Sequence, residues 1–294
     1  RARDGSGYTA AVRKRSKGPS EAARRGALAL VIRSVGTDSD RFPHAGNMTY
    51  AKDAGKIPAA AVSGPDADQI ERLHAEGRTV TLKLDLQPRH IAKAPSGNVV
   101  ADIPGTEKPE EIVLLAAHLD SWDFGTGAID DGAGVGIVVA AALRAAGPAL
   151  KPKRTIRVVL YGAEEVGVHG GDAYAKRHAA DIPRHLLAME ADFGTGRAWR
   201  FSTNVPEADL PFFDAIARDL APLGLERGDN KATGGADISA LRKLGVPVAA
   251  IGQDGTTYFD LHHTANDTLD KIDPDALEQV TEAFTRVARA VANR

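Results

Sequence analysis

Residues 112–120 read Ile-Val-Leu-Leu-Ala-Ala-His-Leu-Asp, and residues 157–165 read Arg-Val-Val-Leu-Tyr-Gly-Ala-Glu-Glu. Each contains a short apolar run that ends in acids or a histidine. Apolar runs of this length, bounded by polar residues or glycine, suit a strand buried on both faces. Between them an Ala/Val/Gly-rich stretch at 134–146 is long enough for a helix. Leu186–Met189 and Val246–Ile251 continue the series of buried strands. The clearest helix comes last, with Asp273 as N-cap, Pro274 in the first turn, and Leu277, Val280, Phe284, Val287 and Val291 along one stripe. Buried strands alternating with helices predict an α/β fold: a doubly wound, mostly parallel sheet with helices on both faces.

Towards the N-terminus the pattern is smaller in scale. A helix is expected at 20–26, strands at 27–32 and 59–62, and a helix that opens at Pro65 and Asp66 and closes at Gly77. Residues 78–86 alternate, with Val80, Leu82, Leu84 and Leu86 on one face and Thr79, Thr81, Lys83 and Asp85 on the other, which predicts a half-buried strand. A linker is expected near Pro88–Pro95. The chain is thereby divided into a small α/β unit at 1–95 and a larger one at 96–294.

The balance of 43% hydrophobic and 26% charged residues over 294 positions is that of a globular protein. A net charge of -2 gives no pointer to nucleic acid. Residues 1–33 do carry nine Arg or Lys against only Asp4 and Glu21, a run read as solvated surface. The absence of cysteine excludes disulfides, thiolate metal sites and a cysteine nucleophile, so any metal must be held by histidine and carboxylate. The longest apolar run, around Val135–Leu143, is too short to span a bilayer. A start at Arg1, without Met, reads as a processed or shortened product.

In doubly wound sheets the ligand site lies beyond the carboxyl ends of the strands. Three successive strands end in candidate ligands there: His118 and Asp120, then Glu164 and Glu165, then Asp192. His118 and Asp120 share one face of an extended chain, so Asp120 can steady the imidazole. Asp130 and Asp131 precede a helix, where they can cap it or where one carboxylate can bridge two cations. The Glu164–Glu165 pair suits a ligand beside a general base. Glu190 competes with Asp192, and of His262 and His263 one is expected to face inward. The remaining histidines (His44, His74, His90, His169, His178 and His185) are read as structural or surface residues. Gly234–Asp237 and Thr256–Asp260 are expected to flank the cleft, with Tyr258 as a polar contact. Asn47-Met-Thr and Asn266-Asp-Thr fit the glycosylation pattern but are discounted as chance triplets.

The run His118-Leu-Asp-Ser-Trp-Asp-Phe-Gly-Thr-Gly-Ala-Ile-Asp-Asp-Gly132, with Ala163-Glu-Glu165, Met189-Glu-Ala-Asp192 and His262-His-Thr-Ala-Asn-Asp-Thr268, resembles the dinuclear zinc peptidases. That family includes bacterial leucyl aminopeptidases and carboxypeptidase Q (plasma glutamate carboxypeptidase). The carboxypeptidase Q branch is the nearer by Pro152-Lys-Arg-Thr-Ile-Arg157 and His118-Leu-Asp-Ser-Trp-Asp123. The resemblance implies two zinc ions (Zn2+), one on His118 and Asp192 and the other on Glu165 and His263, with Asp130 bridging. It implies Glu164 as general base and acid, Asp120 orienting His118, and a cis bond between Asp130 and Asp131. The implied activity is an exopeptidase (aminopeptidase, carboxypeptidase or dipeptidase) that cuts a peptide or dipeptide with a zinc-activated water. Residues 1–95 resemble a protease-associated domain, inside which the chain is expected to start, and an exported location is implied. The oligomeric state stays open, a homodimer included. The competing readings are a glutaminyl-cyclase-like transferase with one zinc and a non-catalytic, receptor-like binding protein.

Overall fold

The computed structural model describes residues 1–89, 91–147 and 151–294; His90 lies outside them. The strands are β1 (Leu30–Arg33), β2 (Ala59–Val62), β3 (Val99–Ile103), β4 (Lys108–His118), β5 (Arg154–Tyr161), β6 (His185–Glu190), β7 (Ala198–Asn204), β8 (Glu226–Arg227) and β9 (Val248–Gln253). The α-helices are α1 (Ser6–Ser16), α2 (Gly18–Arg24), α3 (Gly64–Ala75), α4 (Ala133–Ala146), α5 (His169–Arg177), α6 (Leu210–Leu220), α7 (Ser239–Lys243), α8 (Tyr258–Leu261) and α9 (Pro274–Ala292).

Strands β3 to β9 form one seven-stranded sheet in the order β3-β5-β4-β6-β9-β7-β8. Its centre, β5-β4-β6-β9, is parallel; β3 runs antiparallel to β5, and β7 to β9. The period of two along β4 explains the two layers of helices. Val113, Leu115 and Ala117 enter one core with Ile137 and Val138 of α4 and Phe284 and Val287 of α9. Ile112, Leu114 and Ala116 enter another with Tyr174 of α5 and Leu241 of α7. The chain leaves β4 for β5 on one side and returns to β6 on the other, which makes the carboxyl end of β4 the switch point. The Asp273 carboxylate accepts from the backbone N–H of Asp275 (2.9 Å) and Ala276 (3.3 Å), starting α9 where the sequence indicates.

β1 and β2 pair in parallel as a separate two-stranded sheet beside α3. α3 is capped by Ser63, whose hydroxyl accepts from Asp66 N at 3.2 Å. Residues 1–47 run back to the large sheet's loops: Thr37 N donates to Phe259 O, and Ala45 N to His263 O. One expectation is overturned. Residues 78–86 form no strand, and Leu82, Leu84 and Leu86 are 50%, 37% and 43% exposed. Alternation makes a segment fit for a sheet, but a strand exists only where a neighbour takes its backbone hydrogen bonds, and none does so here among the described residues. α1 was not anticipated: none of its residues is buried, so it carries no apolar stripe to be read. No helix among the described residues is long and apolar enough to cross a membrane.

Candidate metal centre

Register brings the site together. His118, the last residue of β4, pairs with Tyr161, and Ala116 pairs with Glu190. The chain leaving β4, β5 and β6 therefore emerges at one edge, carrying His118 and Asp120, Glu164 and Glu165, and Asp192. Asp130 comes from the segment 128–132 that leads into α4, and the Asp130–Asp131 bond is cis. His263 follows α8 with φ 62°.

The Asp130 carboxylate faces two groups. On one side its Oδ1 lies 3.1 Å from His118 Nε2, which is 3.5 Å from Asp192 Oδ1. On the other its Oδ2 lies 3.3 Å from His263 Nε2, which is 3.1 Å from Glu165 Oε2. His262 stacks on His263 at 3.5 Å between ring centroids, and its Nε2 is 3.6 Å from Asp130 Oδ2. His263 thus touches two of the candidate ligands at closer range. Glu190 is occupied otherwise: its carboxylate accepts from the backbone N–H of Ala236, Asp237 and Ile238 at 3.0, 3.2 and 2.9 Å. Gly235 lets that loop wrap it, with φ 152° and no Cβ to strike the carboxyl carbon at 2.4 Å.

Both inward imidazoles are fixed by a carbonyl on their other nitrogen. His118 Nδ1 donates to Asp120 O at 2.8 Å, and His263 Nδ1 to Ala45 O at 3.2 Å. A carbonyl only accepts, so Nδ1 holds the hydrogen and Nε2 is left as the ligating atom. The Asp120 carboxylate stands 3.9 Å from His118 Nδ1 and instead accepts from Glu164 N (2.9 Å) and Glu165 N (3.1 Å). It aligns the glutamate pair, while its own backbone carbonyl aligns the imidazole. Four further supports surround the cluster, of which only Asp131 was singled out from sequence, as a helix cap or bridge. Trp122 Nε1 donates to Glu165 Oε2 at 2.7 Å. Asn47 Nδ2 donates to Glu165 O. Asp267 accepts from Ile129 N (2.6 Å) and Asp130 N (3.2 Å), and Asp131 from His118 N (3.0 Å). Asn47 had appeared only in a discounted triplet, and Trp122 and Asp267 only as motif positions.

The electrostatics show a cluster short of positive charge. Burial, with Asp192 and Glu165 adding repulsion, pushes Glu164 up to about 8. Burial and the Asp130 charge push Asp192 up to about 7. Burial opposes charge on His263, yet Asp130 and Glu165 push it up to about 9, and His118 is raised in the same way by Asp130 and Asp192. Buried like charges are tolerated only when a counter-charge sits among them. Glu165 Oε1 is buried with no partner, as is Asp131 Oδ1. Oxygen and imidazole donors spaced 3.1–3.5 Å apart fit the edges of a tetrahedron built on metal bonds of about 2.0–2.1 Å. The donor set therefore suits divalent cations.

Of the other histidines, His44 is buried and donates to His262 O at 2.8 Å, and His185 is buried beside Tyr174. His178 meets Asp181 at 3.2 Å, while His74 and His169 are exposed. Tyr258 and Phe259 line a cleft of about 370 Å³ over the cluster, together with Glu164 and, from the N-terminal segment, Tyr8, Arg15 and Asn47.

The chain matches the model of Peptidase family M28 over residues 98–288. It is 36% identical to carboxypeptidase Q of Bos taurus, over 97% of this chain and 60% of that protein. The chain thus spans about 60% of the length of the curated relatives it matches. It is 49% identical to a peptidase M28 precursor of Shewanella amazonensis SB2B, whose crystal structure it matches with a TM-score of 0.97, covering 100% of this chain and 66% of that one. A zinc aminopeptidase of Bacillus subtilis shares the fold at 18% identity, with a TM-score of 0.66 over 93% of this chain and 67% of that one.

Proposed function

Since the chain belongs to peptidase family M28, we propose that it is an exopeptidase working with two zinc ions, one on His118 and Asp192, the other on Glu165 and His263, with Asp130 shared. The observation that carries this reading is the Asp130 carboxylate, each of whose oxygens stands 3.1–3.3 Å from a different imidazole. Zinc bound there lowers the pKa of water towards about 7 and polarises a carbonyl oxygen. Glu164, lining the cleft beside Glu165, accepts a proton from the attacking water and returns it to the amine that leaves. Asp120 holds Glu164 and Glu165 by their backbone N–H groups, so that base and ligand keep their relative positions. The cleft of about 370 Å³ over the cluster lies at the small end of ligand sites. Residues 1–95 we read as part of a protease-associated-type unit, a reading supported by the separate β1–β2 sheet.

Metal analysis and one substitution test the assignment. The zinc-loaded protein is expected to hold two ions per chain. Glu164→Gln is expected to keep both while turnover of a dipeptide falls roughly 100-fold or more, the usual share of a general base. Undiminished turnover in that variant rejects Glu164 as the base, and a single tightly held ion rejects the bridged pair.

A further inference from the structure

Arg15 of α1 is the only lysine or arginine among the described residues lining the cleft. Its Nη1 donates at 2.9 Å to the Ala45 carbonyl, the same oxygen that receives the His263 Nδ1 hydrogen at 3.2 Å. The guanidinium therefore sits next to a candidate zinc ligand, with one oxygen between them. Its Nη2 donates to the Tyr8 hydroxyl at 2.9 Å, and the Tyr8 ring stacks on Phe259 at 4.6 Å. Gly46 completes the cradle: with φ 142°, a Cβ there would meet Arg15 Cζ at 2.2 Å. The group is thus held firmly, half-buried, against backbone that only glycine permits.

Its partners leave it incomplete. A guanidinium has five N–H donors, and two are used. Nε is buried without a partner. Among the described residues no carboxylate forms an ion pair with Arg15, although the cluster beside it is rich in them. A half-buried cation fixed in a cleft and lacking an anion is complementary to an anion brought by a ligand. The planar fork with a hydrogen left on each Nη matches a carboxylate.

We propose that Arg15 is a specificity residue that binds the free terminal carboxylate of the peptide substrate, so that a carbonyl at the metal centre and a carboxylate at Arg15 belong to neighbouring residues. The proposal rests on the peptidase reading above and adds which end of the peptide is held. It selects short peptides with an unblocked C-terminus and disfavours their amides.

The test uses the full, zinc-loaded chain with a dipeptide and the same dipeptide amide. Arg15→Gln is expected to lower the acid-to-amide ratio of kcat/KM by about 10-fold or more, through KM for the acid, the usual weight of a charge-assisted hydrogen bond. Arg15→Lys is expected to recover part of the ratio, which separates lost recognition from a damaged fold. Loss of activity on both substrates in equal proportion, or an unchanged ratio, overturns the proposal. Calorimetry with N-acetyl-leucine and its amide reads the same preference without catalysis. If the unaltered chain cleaves neither substrate, the peptidase reading fails; Arg15 is still judged by whether it binds the acid more tightly than the amide and loses that preference in Arg15→Gln. Equal affinities for acid and amide overturn the role of Arg15 on their own.

Discussion

Glu165 is held at three points: its backbone N–H by Asp120, its carbonyl by Asn47, and its Oε2 by the Trp122 indole at 2.7 Å. Its Oε1 is buried and unpartnered. A ligand whose outer bonds are fixed presents its lone pairs in one direction, and loss of such a support typically weakens metal binding 10–100-fold. Trp122→Phe keeps the ring and removes the donor. If two zinc ions bind as proposed, competition with a chromophoric chelator should show the one on Glu165 and His263 bound about 10-fold more weakly and the one on His118 and Asp192 retained. Two unchanged affinities would show that the indole contributes packing only. This level of the site was the least legible beforehand. Strand-end placement put His118, Asp120, Glu164, Glu165 and Asp192 forward, while the choice of Asp130, of Glu165 over Glu164, of Asp192 over Glu190 and of His263 over His262 came from the resemblance to the dinuclear zinc peptidases. Trp122 reaches across 43 positions to Glu165, Asp267 across 137 to Asp130, and Arg15 across 30 to Ala45. Such contacts leave no spacing in the chain, because the fold and not the local backbone sets them.

Strands and helices were more legible, for reasons that β4 and residues 78–86 illustrate from opposite sides. β4 is apolar on both faces because helices cover both, and that continuous run can be read in one dimension. Residues 78–86 carry an equally regular alternation but no neighbour to pair with, and pairing partners lie outside any local pattern. The strands β3, β7 and β8 escape notice because none carries the doubly buried run: β3 is mostly exposed at one edge, β8 is two residues long at the other, and β7 beside it is buried only in part. Between β5, α5 and β6 lies a polar network that also has no periodic signature: Arg157 Nη1 donates to the Tyr174 hydroxyl at 3.1 Å, which meets His185 Nε2 at 3.0 Å, while His185 Nδ1 donates to Asp181 O at 2.9 Å. The carbonyl fixes the hydrogen on Nδ1, so Nε2 accepts and the ring is neutral. Burial, with the Arg157 charge adding to it, lowers the His185 pKa below 6.5. A lowered folded value means that the unfolded chain binds the proton first. The contribution is therefore complete above about pH 6.5 and is lost as the pH falls from there towards the folded value. Urea unfolding at pH 7.5 and 5.5 should show a smaller acid-induced loss of stability in His185→Gln than in the unaltered chain. The same loss in both would remove His185 from the account, leaving other groups to explain the acid sensitivity.

At the scale of the whole molecule, the five candidate ligands come from the end of β4, the loops after β5 and β6, the entry to α4 and the segment after α8. Cations held among them tie both sides of the switch point to the loop that carries Tyr258 and His263, and through the Ala45 carbonyl to the N-terminal segment. The unfolded chain cannot assemble that donor set, so metal binding adds to the folding free energy. With free zinc at 1,000 times the dissociation constant, one site contributes about 4 kcal/mol. Removing the ions also leaves a buried group of acids to share protons or repel one another, which compounds the loss. A chelator should therefore lower the melting temperature by several degrees, and zinc should restore it. Magnesium should restore little, because it demands octahedral oxygen coordination and this cluster offers two imidazoles among its five ligands. A melting temperature indifferent to chelator would mean that the carboxylates and histidines pair with one another without a cation. Equal rescue by magnesium would mean that the carboxylates alone bind the ion and that the imidazoles at 3.1–3.5 Å are bystanders.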